Sequence, residues 1–391
     1  MILPDATLGV LGGGQLGRMF TIAARTMGYR VVVLDPDPQS PAGGVADEHL
    51  RAAYTDRQAL ERLARTCAAV TTEFENVPAA SLEFLAARRT VWPPAKAVAI
   101  TQDRIREKTF LREQGFPTAP FAVIRRREDI PAACAAIGAP ALLKVSRFGY
   151  DGKGQARVDS VDDALAAFDG MDGEPCVLEG LLPLQTEVSV VLGRGADGET
   201  APYPVAENRH RNGILDLSIV PARVSAAVAR QALDLAGAVA AKLDYCGVMA
   251  VEFFVLADDT LLVNEIAPRP HNSGHYTLDA CLTDQFEQQV RTLCGLPLGD
   301  ARLLAPVVMV NLLGDVWCER TPHWERLFRH PQAKLHLYGK REARPGRKMG
   351  HVNCVADSVE TALVLAETVK RELACEGGGD AEVPRVRTEV L

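Results

Sequence analysis

No uncharged stretch in this 391-residue chain is longer than 14 residues. The longest, Ile130 to Leu143, is broken by proline and glycine and is too short to cross a bilayer. A basic n-region is missing from the start, where Asp5 stands instead, so no secretory leader is expected. There is no C-x-x-C pair, and the nine cysteines are odd in number. Both features fit reduced thiols in a cytoplasm and argue against a disulfide framework or structural zinc. Basic residues are in deficit, with Lys plus Arg 43 against Asp plus Glu 50 and a net charge of −7. Duplex nucleic acid needs a concentrated basic face, so neither nucleic acid nor membrane is an expected partner, although a local patch could hold a small phosphorylated ligand. No internal repeat is visible. What is present is ordinary for a soluble globular protein, with 47% hydrophobic and 24% charged residues, and the length suits two or three domains.

The first hundred residues alternate short apolar runs with helix-compatible ones. Thr7 to Leu11, a glycine cluster, Gln15 to Met27 and Arg30 to Asp35 form one unit, and Arg57 to Arg65 with Cys67 to Thr72 continue it. This is βαβ grammar, and it predicts an α/β chain opening on a doubly wound parallel sheet. Trp92-Pro93-Pro94 and Gly115 to Pro120 punctuate its end. Strand-like runs then flank a loop with three glycines in six positions, and from Thr186 onward further runs surround a helix, Ser225 to Leu243. The last ninety residues add short β-like runs, a helix over Val359 to Ala374 and a tail, Glu376 to Asp380, expected to be mobile.

Five motifs carry chemistry. Gly12-Gly-Gly14-Gln-Leu-Gly17 follows a strand and opens a helix, with Asp35 ending the next strand. Alone it permits three readings: a dinucleotide site, a site for another ligand, or glycines that let strand and helix pack closely. Lys144 to Gln155 places glycines around Lys153, which suits a lid over phosphates, but Gly154 stands where a Walker loop needs Ser or Thr. Lys144 itself lies in an apolar strand, where its ammonium needs an anion. Glu252 and Glu265 flank Asp258-Asp259; if those aspartates form a two-residue hairpin loop, the carboxylates face each other at about 5 Å. A divalent cation, hard Mg²⁺ above all, would neutralise them; one protonated carboxyl or a longer loop would dispense with it. In Pro268 to His275 the H-x-x-x-H spacing suggests zinc, but Pro270 and Gly274 oppose a helix presenting both histidines, so a substrate-positioning loop is expected. Five bases between Lys340 and Lys348 read either as a solvated run or as a second anion site.

Taken together these phrases resemble the ATP-grasp superfamily and, within it, the carboxyaminoimidazole ribonucleotide synthetase family. The resemblance rests on Gly12 to Met19, Thr72 to Pro78, Gly149 to Gln155, Asn264 to His275 and Gly346 to His351, in the expected order. It implies an ATP-grasp fold, α/β (α+β overall): an N-terminal Rossmann-like domain over 1–105, a lid subdomain over 106–185, a central subdomain over 186–300 and a small β-rich domain over 301–391. It also implies ATP- and bicarbonate-dependent carboxylation of the exocyclic amine of 5-aminoimidazole ribonucleotide through carboxyphosphate, and displaces the dinucleotide reading.

Carried over residue by residue, the resemblance puts Arg104, Lys144, Lys153 and the loop of Gly149, Tyr150, Asp151, Gly152, Gly154 and Gln155 near the ATP phosphates. Glu179, Gly180, Leu181 and Leu182 would line the adenine, with Glu187 and His210 at the ribose and Asn264 beside the metal. Glu252 and Glu265 would hold Mg²⁺. Gln15, Glu75, Asp151, Arg269, His271, Asn272, Lys340 and Arg347 would contact the ribonucleotide, with Asp151, Lys153, Arg269 and His271 acting in catalysis. A homodimer in the cytoplasm and a separate mutase next in the pathway are further implications. Sister ATP-grasp ligases, such as formate-dependent glycinamide ribonucleotide transformylase or biotin carboxylase, would share the Glu pair and the loop. The phrases Glu73 to Asn76 and Arg347 to Gly350 speak against them. A catalytically dead nucleotide-binding regulator is the remaining alternative, opposed by intact Lys144, Lys153, Glu252 and Glu265.

Overall fold

A computed structural model describes residues 1–149, 152–317 and 321–374. Tyr150, Asp151 and the 376–380 tail lie outside the described residues. The described residues build three sheets. In the first, β1 (Thr7–Leu11), β2 (Arg30–Leu34), β3 (Glu48–Leu50), β4 (Ala69–Thr72) and β5 (Thr90–Val91) pair in parallel in the order β3-β2-β1-β4-β5. This is the expected doubly wound order, and the four-residue buried runs of β1, β2 and β4 are what a sheet covered on both faces requires. Helices α1 (Gln15–Thr26), α2 (Arg57–Thr66), α3 (Ala79–Ala86) and α4 (Ala95–Thr101) supply the cover.

Helix α5 (Arg104–Glu113) leads into the second sheet, where β6 (Phe121–Ile124), β7 (Ala141–Val145), β8 (Gln155–Val158) and β9 (Cys176–Gly180) pair antiparallel in the order β6-β9-β7-β8. Helices α6 (Ile130–Ile137) and α7 (Val161–Gly170) close its core. The third sheet has nine strands. It comprises β10 (Leu184–Arg194), β11 (Thr200–Pro202), β12 (Ala206–Arg211), β13 (Ile214–Val220), β14 (Gly247–Leu256) and β15 (Leu261–Ala267), continued by β16 (Val307–Leu313), β17 (Ala333–Leu337) and β18 (Lys348–Val355). The antiparallel pairing of β13 with β16 carries this sheet straight across residue 300.

Long-range packing places the site. Ser225 caps α8 (Ala226–Lys242) by accepting from the Val228 N–H, and Val228, Ala232, Ala236, Val239 and Ala240 recur at helical spacing to face the third sheet. After the short α9 (Thr277–Ala280), α10 (Gln285–Cys294) buries Phe286, Val290 and Leu293 against Phe20 of α1. That joins the parallel sheet to the antiparallel one. Helices α11 (Trp324–Leu327) and α12 (Val359–Leu373) cover the C-terminal strands.

Candidate active site

Strand parity decides which side chains leave the core. Along β10, Val188, Val190 and Leu192 pack on α8, so Glu187 and Ser189 point the other way. Along β14, Met249, Val251, Phe253 and Val255 face α8 and Glu252 is opposite. On β15 the core residues are Leu261, Val263 and then Ile266, a change of parity. Asn264 is the extra residue of a β-bulge, so Asn264 and Glu265, adjacent in sequence, both leave the core on the Glu252 side.

Glu252 does pair with Glu265, but not by the expected route. The hairpin loop has three residues, Ala257 to Asp259, with Asp259 at φ 65° and the Leu256 N–H donating to Thr260 O at 2.9 Å. The strands next to it, Val255 with Leu261 and Phe253 with Val263, are therefore one residue out of the predicted register. The bulge restores it at Glu252.

Each carboxylate already faces a cation or an imidazole. Glu252 Oε1 lies 3.1 Å from His271 Nε2, and His271 Nδ1 lies 2.8 Å from Ser273 Oγ, itself 2.8 Å from Ser189 Oγ. Burial raises the Glu252 carboxyl, but the His271 hydrogen bond and the charges of His210 and Lys348 outweigh it and hold the group well below the usual range. Glu265 Oε2 lies 3.3 Å from Arg104 Nη1, on the first turn of α5. Glu187 lies 3.3 Å from His210, whose imidazole burial would lower; the Glu187 carboxylate, with Glu252 and Glu265 behind it, lifts it to about 9.

The anion that Lys144 needs comes from its own sheet. Its Nζ donates to Glu179 Oε2 at 2.8 Å, and Lys108 approaches the other carboxylate oxygen at 3.4 Å. Burial pushes the Glu179 carboxyl up, but Lys108, Lys144 and Arg104 hold it at about 2. Glu179 is thus fully buried, whereas Gly180, which ends β9, and Leu181 and Leu182, which open the connection to β10, are half-buried beside it. The glycine loop folds back on β7: Val145 N–H donates to Gly154 O at 2.8 Å, and a Cβ on Gly154 would lie 2.5 Å from the Val145 side chain. Gly152 and Gly154 both have positive φ, and Lys153 and Gln155 are exposed.

On the facing wall, Arg269 pairs with Glu75 and Gln15 is the half-buried first residue of α1. Asn272 is buried, and neither its Oδ1 nor its Nδ2 has a hydrogen-bond partner among the described residues. Lys340 Nζ donates to Lys348 O at 2.7 Å and Arg347 Nη1 to Glu342 O at 2.9 Å, so both are engaged within their own loop.

The structure decides among the readings of the first glycine motif. Gly13 N–H donates to Asp35 Oδ2 at 2.6 Å and Gly14 N–H to Glu73 Oε1 at 2.8 Å. The amides a phosphate would use are taken by the chain's own carboxylates. A Cβ on Gly12 would lie 2.7 Å from Glu73 Oε1, and one on Gly13 would lie 2.6 Å from Ser40, so the glycines serve close packing. Burial pushes the Glu73 carboxyl up to about 7 despite the Gly14 hydrogen bond.

Several residues here escape sequence reasoning. Gln285 accepts from His271 N–H and donates to His271 O, both at 2.9 Å, clamping the loop that presents His271. Glu107 accepts from the Ile266 N–H at 2.6 Å, beside the bulge. Burial and then Glu265 push its carboxyl up to about 8. Only the i, i+3, i+4 spacing of Arg104, Glu107 and Lys108 hints that one helical face is shared.

The donor set suits a hard divalent cation. Glu252, Glu265 and Asn264 offer oxygens on one face, and Asn264 Oδ1 is buried without a partner among the described residues. Glu187, His210 and Glu252 also cluster within 4.8 Å, but His210 is held protonated between carboxylates and serves as a counter-ion.

Three family models match the chain: a ribonucleotide synthetase preATP-grasp domain over residues 5–102, an ATP-grasp domain over 109–286 and a phosphoribosylaminoimidazole carboxylase C-terminal domain over 307–364. The N5-carboxyaminoimidazole ribonucleotide synthase of Brucella melitensis is 46% identical over 351 residues, 89% of this chain and 96% of its own length. Among solved structures, an ADP complex of an N5-carboxyaminoimidazole ribonucleotide synthetase superimposes with a TM-score of 0.90 at 44% identity, covering 94% of this chain and 97% of the other. The Aspergillus clavatus N5-carboxyaminoimidazole synthase, solved with ADP and 5-aminoimidazole ribonucleotide, gives 0.86 at 33% identity, with 94% and 98% covered. The fold agrees with these relatives along nearly the whole chain, and it belongs to the N5-carboxyaminoimidazole ribonucleotide synthase family of ATP-grasp ligases.

Proposed function

We propose that this chain carboxylates the exocyclic amine of 5-aminoimidazole ribonucleotide, using ATP and bicarbonate, in purine biosynthesis. The observation that carries the reading is the bulged β14–β15 pair, which aims Glu252, Asn264 and Glu265 from one face within reach of Arg104 and His271. A face of oxygens ringed by cations suits phosphoryl transfer, which needs positioning and charge neutralisation more than covalent help. Glu252, Glu265 and Asn264 would hold Mg²⁺, which when bound neutralises the nucleotide's phosphate oxygens. Arg104 and Lys144 bind the phosphates, and Glu187 with His210 takes the ribose. The ATP γ-phosphoryl passes to bicarbonate, the amine attacks the carboxyphosphate, and ADP and phosphate leave. Carboxyphosphate hydrolyses readily, so the loop carrying Asp151 and Lys153 excludes water and aligns the amine.

Arg269, His271 and Asn272 with Gln15 and Glu75 face the ribonucleotide, and Lys340 and Arg347 take its phosphate. The 1–105, 106–185 and 186–300 segments divide these tasks with 301–391, which continues the third sheet, in a cytoplasmic homodimer whose product passes to a separate mutase. ADP release tests the reading. It should rise strongly only with 5-aminoimidazole ribonucleotide, bicarbonate and Mg²⁺ together. Better stimulation by glycinamide ribonucleotide with formate would assign the chain to the sister ligase.

A further inference from the structure

One buried carboxylate has two buried ammonium partners. Glu179 Oε2 accepts from Lys144 Nζ at 2.8 Å, and Glu179 Oε1 lies 3.4 Å from Lys108 Nζ, with no hydrogen bond formed at either of these last two atoms among the described residues. The Lys108 side chain is 0% exposed and Glu179 2%, whereas Lys144 keeps 10%. A buried ion pair is no better for stability than well-packed apolar side chains, so a second lysine on one carboxylate calls for another reason. Lys144 supplies it, because a single ammonium cannot serve Glu179 and an incoming phosphate equally. Drawing Lys144 toward a phosphate would strand a buried carboxylate, unless another cation remained behind it.

We infer that Lys108 is a positioning residue for nucleotide binding: it keeps Glu179 neutralised from the closed side and so releases Lys144 to the phosphates. The inference rests on the reading of Lys144 as a phosphate contact. Lys108 comes from α5, the helix that also sends Arg104 to Glu265, so one helical face serves both halves of the nucleotide site. Neighbours in one charge network couple, and that coupling is the distinguishing measurement.

Binding of Mg-ATP is measured by calorimetry for wild type, K108M, E179Q and K108M/E179Q, with thermal unfolding recorded for each. K108M should weaken ATP binding about tenfold, while in the E179Q background the same substitution should change it less than about twofold. The KM for 5-aminoimidazole ribonucleotide should stay within about twofold in K108M, since no contact to that substrate is lost. Equal losses in both backgrounds would mean that Lys108 only fills space, and no loss in a folded K108M would also overturn the inference. If K108M alone does not fold, E179Q against K108M/E179Q decides: equal affinity in a folded double variant supports the inference, and an unfolded or weaker-binding one overturns it. ATP binding is read directly, so absence of ribonucleotide-dependent turnover in wild type would sink the proposed function and leave this result standing.

Discussion

The glycine loop after β1 and the bulged hairpin of β14 and β15 both bring carboxylates to backbone features that could hold a ligand, yet they end oppositely. At the loop, Asp35 and Glu73 are spent on the amides of Gly13 and Gly14. At the hairpin, Glu252 and Glu265 face outward, each against a side chain that can yield, and Asn264 Oδ1 beside them has no partner among the described residues. Buried polar groups are nearly always satisfied, so a motif whose donors are satisfied by its own chain is finished structure. One with an orphaned acceptor is prepared for something else. The same residue type therefore closes one site and opens the other.

The largest effect should come from breaking the open site. Glu252→Gln keeps the shape and removes the charge; kcat should fall about 100-fold or more if Glu252 holds Mg²⁺ as proposed. Steady-state ADP release at saturating Mg²⁺ checks it. A variant within a few-fold of wild type would leave the hairpin no more functional than the loop.

The closed site should answer in stability. Glu73 titrates near 7 in the folded chain against an ordinary 4.5, so folding favours its protonated form. That stabilisation is complete below pH 4.5 and is lost as pH rises through 7, with a ceiling of about 3 kcal/mol. Glu73→Gln should flatten the fall in melting temperature between pH 5 and 8, leaving the share due to Glu107. An unchanged pH profile would mean that Glu73 is not buried as an acid.

The smallest expected effect is none. Because the loop amides are taken, NADH at millimolar concentration should shift the melting temperature by less than about 1 °C, whereas Mg-ATP should raise it by mass action. A saturable NADH shift would erase the contrast between the two regions.

Much of the chain is legible from residue order. The βαβ units and the helix read over Ser225 to Leu243 follow from local periodicity, which acts over a few residues, and the Asn264 to His275 phrase is legible as a family resemblance. The hairpin is instructive because the Glu252–Glu265 pair was predicted from a two-residue loop and exists through a three-residue loop plus a bulge. Two one-residue departures cancel, and a strand pattern of period two cannot reveal either.

What residue order leaves open is which charges are buried together. Arg104 meets Glu265 from 161 positions away, Glu107 reaches Ile266 across 159, and Gln285 clamps His271 from a helix whose own pattern reads as ordinary. Lys108 and Glu107 sit in a helix rich in exposed charge, with nothing local to mark them as buried. Periodicity states which face of an element turns inward; the chain's path in space states what that face meets. Burial raises the cost of every unpaired charge, so the long-range contacts set which carboxylates are spent on structure and which stay available for chemistry.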